Sequence, residues 1–530
     1  DVLKYYLDLY PYNQNRLEFT TRIDFTPNLA DFDTLVLNAV EIGIDSVSDD
    51  IGMLNFLQST QYLHIYLRQA ASPGDTVSVY IYGSAPTRGW NDYGYHRREE
   101  YAFTFAEPYG ARRWFPCYDY PFDKAQYECT VTVPSGYYAQ SNGELYDFQS
   151  GVSGDWFHWK EDDPVATYLI FLTSGPYVEM LDSTSTGIPL RYYVYPEDSA
   201  EAVYDFANTP DMIEFFSQTF GDYPFQMYGM TQSHIFNGWG AMEHQTVTTY
   251  GFHMVTGDRQ YENVVAHELG HMWFGDALTP LTFADIWLNE GFATYSEALY
   301  IEARYDTLQA HMENRAESYF YEDEYVLRYP IYDPPEQFLF GGAVYYKGSW
   351  VLHMLRYVVG DSAFFDGLRN YYQRYAYGNV VTAEFQAEME ASFGSSLDWF
   401  FQQWVYQAGY PIYQYQWLAA PIGNEWQVDF TLNQVQTNAP TFEMPIELEL
   451  ASAGRDTIIQ IWNDQALQQY SIRLDFEPAE LNFDPERWIL KKDLSSPAGS
   501  YPKEVAHTFS LGRCYPNPFN ARTAVPYNID

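Results

Sequence analysis

The chain has 530 residues, enough for several domains with real cores. Its 28 Lys+Arg against 71 Asp+Glu give a formal net charge of −43, a field that repels nucleic acid and anionic membrane surfaces, so neither is an expected partner. No run of about 18 apolar residues occurs, so no transmembrane helix is expected, and three cysteines make no disulfide framework; Cys117 and Cys129 either pair or stay as buried thiols.

The sequence reads as a multidomain α+β chain. Residues 1–194 form an N-terminal β domain, a saddle or sandwich. Gln61 to Leu67 is rich in β-branched and aromatic residues, and Asp75 to Tyr82 alternates with a period near two, with Gly and Pro clusters between such runs. From 195 to 410 the period turns helical, as in an α+β catalytic domain. The clearest helices are Glu201 to Phe220, Tyr261 to a stop at Gly275, Glu290 to Tyr305, Gly348 to Val359 and Leu397 to Tyr406. Residues 411–492 return to alternation, as in Trp426 to Leu432, and suggest a small β-sandwich domain. Residues 493–530 begin with a polar linker, Ser495 to Ser500, and end inside another strand. The start at Asp1 rather than methionine suggests that an export leader has been removed.

The chemistry is concentrated in His267-Glu268-Leu269-Gly270-His271 and, 19 positions on, Glu290. Histidines four apart on a helix share a face and can grip one ion. Glu290 completes a two-His, one-carboxylate zinc site with a fourth position left for water. Glu268, between the histidines, faces the open side of that ion and is the natural general base. One Zn²⁺ per chain is therefore expected.

Further motifs carry a family resemblance. Gly240-Ala241-Met242-Glu243-His244, Tyr345-Tyr346-Lys347-Gly348, and Glu107-Pro108 followed by Ala111 to Cys117 join the zinc motif. Together they resemble the aminopeptidase N family of gluzincin zinc metallopeptidases, which includes leukotriene hydrolase, over residues 1 to about 490. The resemblance implies a thermolysin-like fold for the catalytic domain. It also implies an aminopeptidase in which Tyr345 stabilises the oxyanion and Glu243 and Glu107 bind the free N-terminus of a peptide. Gly240, Ala241 and Met242 would form an extended edge against the peptide backbone. His244 replaces the family's usual asparagine. Phe105 stands where many members have glutamine beside the first side chain, implying a bias toward apolar or aromatic first residues. The chain stops short of the family's large C-terminal helical domain, which implies a more open cavity.

Phe509 to Gly512 and Tyr515 to Asn520 are similar to the start of a bacterial C-terminal secretion and sorting domain. That resemblance implies a secreted or cell-surface bacterial protein that engages outer-membrane secretion machinery. Two rival functions keep the metal. A thermolysin-like endopeptidase is opposed by the setting of Glu243. A non-catalytic secreted zinc-binding protein would usually supply a fourth protein ligand, commonly cysteine, and none is near. An epoxide hydrolase activity, as in leukotriene hydrolase, has no specific residue in its favour.

Overall fold

The computed structural model describes residues 1–494 except Gln14, Trp90, Asn91, Asp323 and Glu324, together with the paired short strands Phe509–Leu511 and Tyr527–Ile529. The expected linker from Ser495 to Ser500 and the Tyr515 to Asn520 motif lie outside the described residues. The chain divides into two compact units, Asp1–Gly409 and Tyr410–Asp530. Among the described residues no helix is long and apolar enough to cross a membrane.

The first unit opens with a seven-stranded sheet in the order Glu144–Gly151, Gly154–Val165, Ala125–Val133, Val2–Asn13, Arg16–Phe25, Val77–Pro86 and Gly43–Ser48. Alternation explains it: along Arg16–Phe25 the residues Leu17, Phe19, Thr21, Ile23 and Phe25 are buried and those between them are not. Neighbouring strands run antiparallel except Val2–Asn13 beside Ala125–Val133. A smaller sheet includes the strand Tyr101–Phe105, whose end leads straight to Glu107. Cys117 and Cys129 do not pair; both are buried thiols.

The metal-motif region rests on a five-stranded sheet ordered Val178–Ser183, Pro189–Val194, Tyr228–Ser233, Val247–Gly251 and Ala241–Met242. Its first two strands precede residue 195, so the sheet reaches back across the boundary expected there. The short strand Ala241–Met242 closes one edge, antiparallel to Val247–Gly251. Two helices carry the metal-motif residues. Glu262–Gly270 bears His267 and Glu268 with His271 as its C-cap, and Trp287–Tyr305 is buried at every position from Trp287 to Tyr300. A helix buried all round normally excludes charge, so Glu290 and Glu297 within that stretch need partners.

Several elements differ from their sequence expectation. The helix expected over Glu201 to Phe220 is two, Ser199–Asp205 and Thr209–Phe220, because Pro210 cannot continue a helix and starts a new first turn instead. Regular helix ends at Gly270 rather than Gly275. Beyond it, backbone bonds such as Asp276 N to His271 O span five residues and turn the chain away. The helices Leu308–Tyr321, Asp361–Tyr375 and Thr382–Phe393 were not anticipated.

The second unit is a small β-sandwich. Leu467–Leu474, Glu425–Gln434, Ile412–Ile422 and Lys492–Asp493 form one sheet, and Arg455–Asn463, Met444–Ser452 and Glu480–Phe483 the other. Phe483 packs on Tyr413 and Tyr415 of the first sheet, at ring centroid distances of 5.3 and 4.9 Å.

Candidate active site

His267, in the helix Glu262–Gly270, and His271, the residue that caps its end in helical geometry, meet Glu290 from the helix Trp287–Tyr305. Glu290 Oε2 lies 3.3 Å from His267 Nε2 and 3.5 Å from His271 Nε2, and one donor atom of each of the three residues lies within 4.8 Å of the others. The opposite ring nitrogens are already committed. His267 Nδ1 is 2.9 Å from Glu297 Oε1, and His271 Nδ1 is 2.7 Å from Asn289 Oδ1. Donation from Nδ1 to those oxygens leaves both Nε2 lone pairs turned toward Glu290, the tautomer a metal needs.

Glu297 is itself anchored, by Asn263 Nδ2 at 3.0 Å and Arg315 Nη2 at 2.5 Å. Asn289 spends the other end of its amide on Glu243, with Nδ2 donating to Oε1 at 3.0 Å. The Asn289 contact also fixes a glycine. Gly275 has φ +138°, and a Cβ there would fall 2.0 Å from Asn289 Oδ1 and 3.1 Å from His271 Nδ1.

Tyr345 sits in a π-helical turn, Ala343–Lys347, with its ring parallel to the His267 imidazole at 5.9 Å and 10°. Two motif glycines set that position. A Cβ on Gly291 would lie 2.9 Å from the Cα of Gly348, so the segments carrying Glu290 and Tyr345 touch backbone to backbone. Lys347, wholly buried, ties the turn down by donating from Nζ to the Gln407 carbonyl at 2.8 Å.

His267, His271, Glu290, Glu297, Arg315 and Tyr345 line one cavity of about 620 Å³, which also receives Glu107, Phe105, Gly240, Ala241, Glu243 and Glu268. Glu107, Glu243 and Glu290 each bring a carboxylate oxygen within 4.8 Å of the others. Among the described residues, Glu107 Oε1 and Glu268 Oε2 are buried without a hydrogen-bond partner. The Gly240 carbonyl is taken by Gly251 N at 2.8 Å, Met242 is buried, and half-buried Ala241 lines the cavity. Phe105 meets Phe236 at 4.8 Å and Tyr93 at 5.3 Å, an aromatic wall beside the acids. His244 does not line the cavity. It stacks on Phe171 at 4.6 Å and bonds Thr249 Oγ1 through Nδ1 at 2.9 Å, and burial pushes it down to about 3, so it serves the core.

The electrostatics favour a cation. Burial opposes charge on His267, yet Glu290 and Glu297 hold it up to about 9. Burial likewise opposes ionisation of Glu290 and Glu297, yet His267 and His271 hold the first, and Arg315 and His267 the second, down to about 2. Burial raises Glu268 to about 8 against the lowering pull of the two imidazoles, and raises Glu107 well above the carboxylate range, with Glu243 and Glu290 adding to it. Two imidazoles and a carboxylate with braced outer partners and no thiolate fit Zn²⁺.

Sequence reasoning missed Glu297, Asn289 and Arg315. Glu297 was within reach, since it lies seven positions after Glu290 and so on the same helix face. Asn289 is Glu290's neighbour. Arg315 lies on a separate helix, Leu308–Tyr321, and no local spacing announces it.

Comparisons with known proteins agree on one family. The family model described as peptidase M1 N-terminal domain matches residues 2–169, and that described as peptidase family M1 domain matches residues 204–404. Aminopeptidase N of Streptomyces lividans is 30% identical over 334 residues, 59% of this chain and 38% of that protein. Human glutamyl aminopeptidase is 30% identical over 326 residues, 58% of this chain and 34% of that protein. The chain thus spans little more than a third of the length of these curated relatives. Among solved structures, the M1 zinc metallopeptidase of Deinococcus radiodurans superposes with a TM-score of 0.70 at 24% identity, covering 78% of this chain and 94% of that one. Legionella pneumophila aminopeptidase A, in complex with aspartic acid, gives 0.81 at 18%, covering 94% of this chain and 60% of that one. These two likenesses speak to the fold. With both of its domain models matched and these relatives beside it, the chain belongs to peptidase family M1, the aminopeptidase N family.

Proposed function

We propose that this protein is a zinc-dependent aminopeptidase that removes the N-terminal residue from peptides. The observation that carries the reading is the meeting of Glu107, Glu243 and Glu290 oxygens within 4.8 Å, beside the two histidines, in one cavity. A metal site alone suits any metallohydrolase. Two further acids at a fixed distance from it suit a peptide whose end carries a free ammonium.

His267, His271 and Glu290 would hold the ion, which when bound supplies a Lewis acid for the scissile carbonyl and acidifies a water. Glu268 takes the proton of the attacking water on its unpartnered Oε2 and passes it to the departing amine. Tyr345 donates its phenolic hydrogen to the oxygen that becomes negative as the carbonyl turns tetrahedral. Glu107 and Glu243 hold the ammonium and so admit the first peptide bond, and no later one, to Glu268 and Tyr345. Gly240, Ala241 and Met242 guide the backbone, with cavity-lining Ala241 as the available contact. Phe105, with Phe236 and Tyr93, favours an apolar or aromatic first residue. An exported or cell-surface location is supported by the resemblance of the tail alone.

The test is hydrolysis of aminoacyl chromogenic substrates with free and with acetylated N-termini, before and after chelation. Turnover of the free form only, abolished by chelator and restored by Zn²⁺, is expected. Cleavage of an N-blocked internally quenched peptide would convert the reading to an endopeptidase, and metal binding without turnover to a non-catalytic zinc protein. A panel with best turnover on Arg or Lys would overturn the part given to Phe105.

A further inference from the structure

Six carboxylates, Asp92, Glu107, Glu243, Glu268, Glu290 and Glu297, line the cavity with one guanidinium, Arg315. Against their formal charges, a divalent ion on the histidines together with Arg315 leaves three negative, and a single ammonium offsets only one of them. The surplus is localised. Glu107 is 6% exposed, and its Oε1 lies in the cavity wall without a partner among the described residues. Such a group is costly to bury unless something charged or hydrogen-bonding reaches it. Glu243 Oε1 has one neutral amide contact, from Asn289.

We infer that Glu107, Glu243 and one oxygen of Glu290 form a second divalent-cation site, which a hard metal ion and the peptide ammonium occupy in alternation. The geometry admits it: one oxygen of each residue lies within 4.8 Å of the other two. Opposite ligands of an ion with bonds of about 2.4 Å are about 4.8 Å apart. The donor set is three carboxylates with no sulfur or nitrogen, which selects Mg²⁺, Mn²⁺ or Ca²⁺ over softer ions. His271 Nδ1, 4.0 Å from Glu243 Oε1, is already committed to Asn289 and does not join. The consequence is regulation. Divalent ions compete with substrate for the same carboxylates and inhibit competitively, and peptide in turn displaces the ion. This rests on the placement of the ammonium proposed above, but its first test does not.

The probe is Mn²⁺ added to zinc-loaded protein, followed by electron paramagnetic resonance, with zinc content measured in parallel. Uptake of one Mn²⁺ per chain with zinc retained is expected, and Glu107→Gln is expected to weaken that uptake at least about tenfold at unchanged zinc content and melting temperature. Glu243→Gln, read the same way, covers a Glu107 variant that fails to fold. In turnover, apparent KM is expected to rise linearly with free Mn²⁺, from its Mn²⁺-free value, at constant kcat. No uptake at millimolar Mn²⁺, undiminished uptake in both variants, or inhibition that lowers kcat alone would overturn the proposal. The uptake arm decides even for a protein that cleaves no peptide, so the two readings fail separately.

Discussion

At the histidine end of the cavity each imidazole is braced: His267 on Glu297, which Asn263 and Arg315 hold, and His271 on Asn289. At the other end Glu107 Oε1 has no partner among the described residues, and Glu243 Oε1 has one amide. Both ends are buried and both are built from acids. A resident ion requires a donor set that does not move, so its ligands are locked from behind. A cation that arrives and leaves requires negative charge that the protein has not already neutralised.

The sharpest way to break that contrast is at the boundary between the ends. Glu268→Gln keeps the shape and removes the base, so kcat is expected to fall about 10²- to 10⁴-fold with zinc content unchanged. Retained turnover in a zinc-loaded Gln variant would end the general-base role. Tyr345→Phe is expected to cost about 100- to 1,000-fold in kcat, as for loss of one oxyanion donor; an effect confined to KM would make the ring a packing element. Glu243→Gln at the unbraced end is expected to lower kcat/KM for free N-termini by about 30-fold or more while leaving zinc bound. An unchanged preference for free over acetylated substrates would refute it.

Glu297→Gln at the braced end is expected to do the converse, weakening zinc affinity about 10- to 100-fold in chelator competition with little change in KM at saturating metal. The smallest effect belongs to a control outside the cavity. Burial raises Glu161 to about 8, so the folded chain holds a proton there that the unfolded chain releases near 4.5. Its contribution to stability is present below about 4.5, declines across the window and is lost above about 8. Glu161→Gln should therefore raise Tm by a few degrees at pH 8.5 and leave it unchanged at pH 4. An equal shift at both values would mean packing rather than ionisation.

The braced end was far more legible than the unbraced one. His267, Glu268 and His271 lie within one turn and a little more, so helical geometry alone puts the imidazoles side by side. Pro210 was readable as a break, and the helix expected through it is two; the helix expected to stop at Gly275 ends earlier, at Gly270. Leu308–Tyr321 went unread because only Leu308, Met312 and Tyr319 are buried along it, too sparse a stripe to show a period. With it went Arg315. Nothing in one dimension links Gly291 to Gly348, and in three they are the contact between two helices.

The amino-acid order by itself set His267 and His271 side by side, since their spacing acts over four residues and needs no partner to be interpreted. It also determined the alternating strands of both units. Which acids face those donors was decided only by tertiary structure. Glu107 follows one strand, Glu243 follows an edge strand of another sheet, and Glu290 sits in a buried helix; only packing of the sheets and helices around one cavity brings their oxygens together. Their charges repel, so no local preference of the chain could have gathered them, and the burial energy of the surrounding core holds them there.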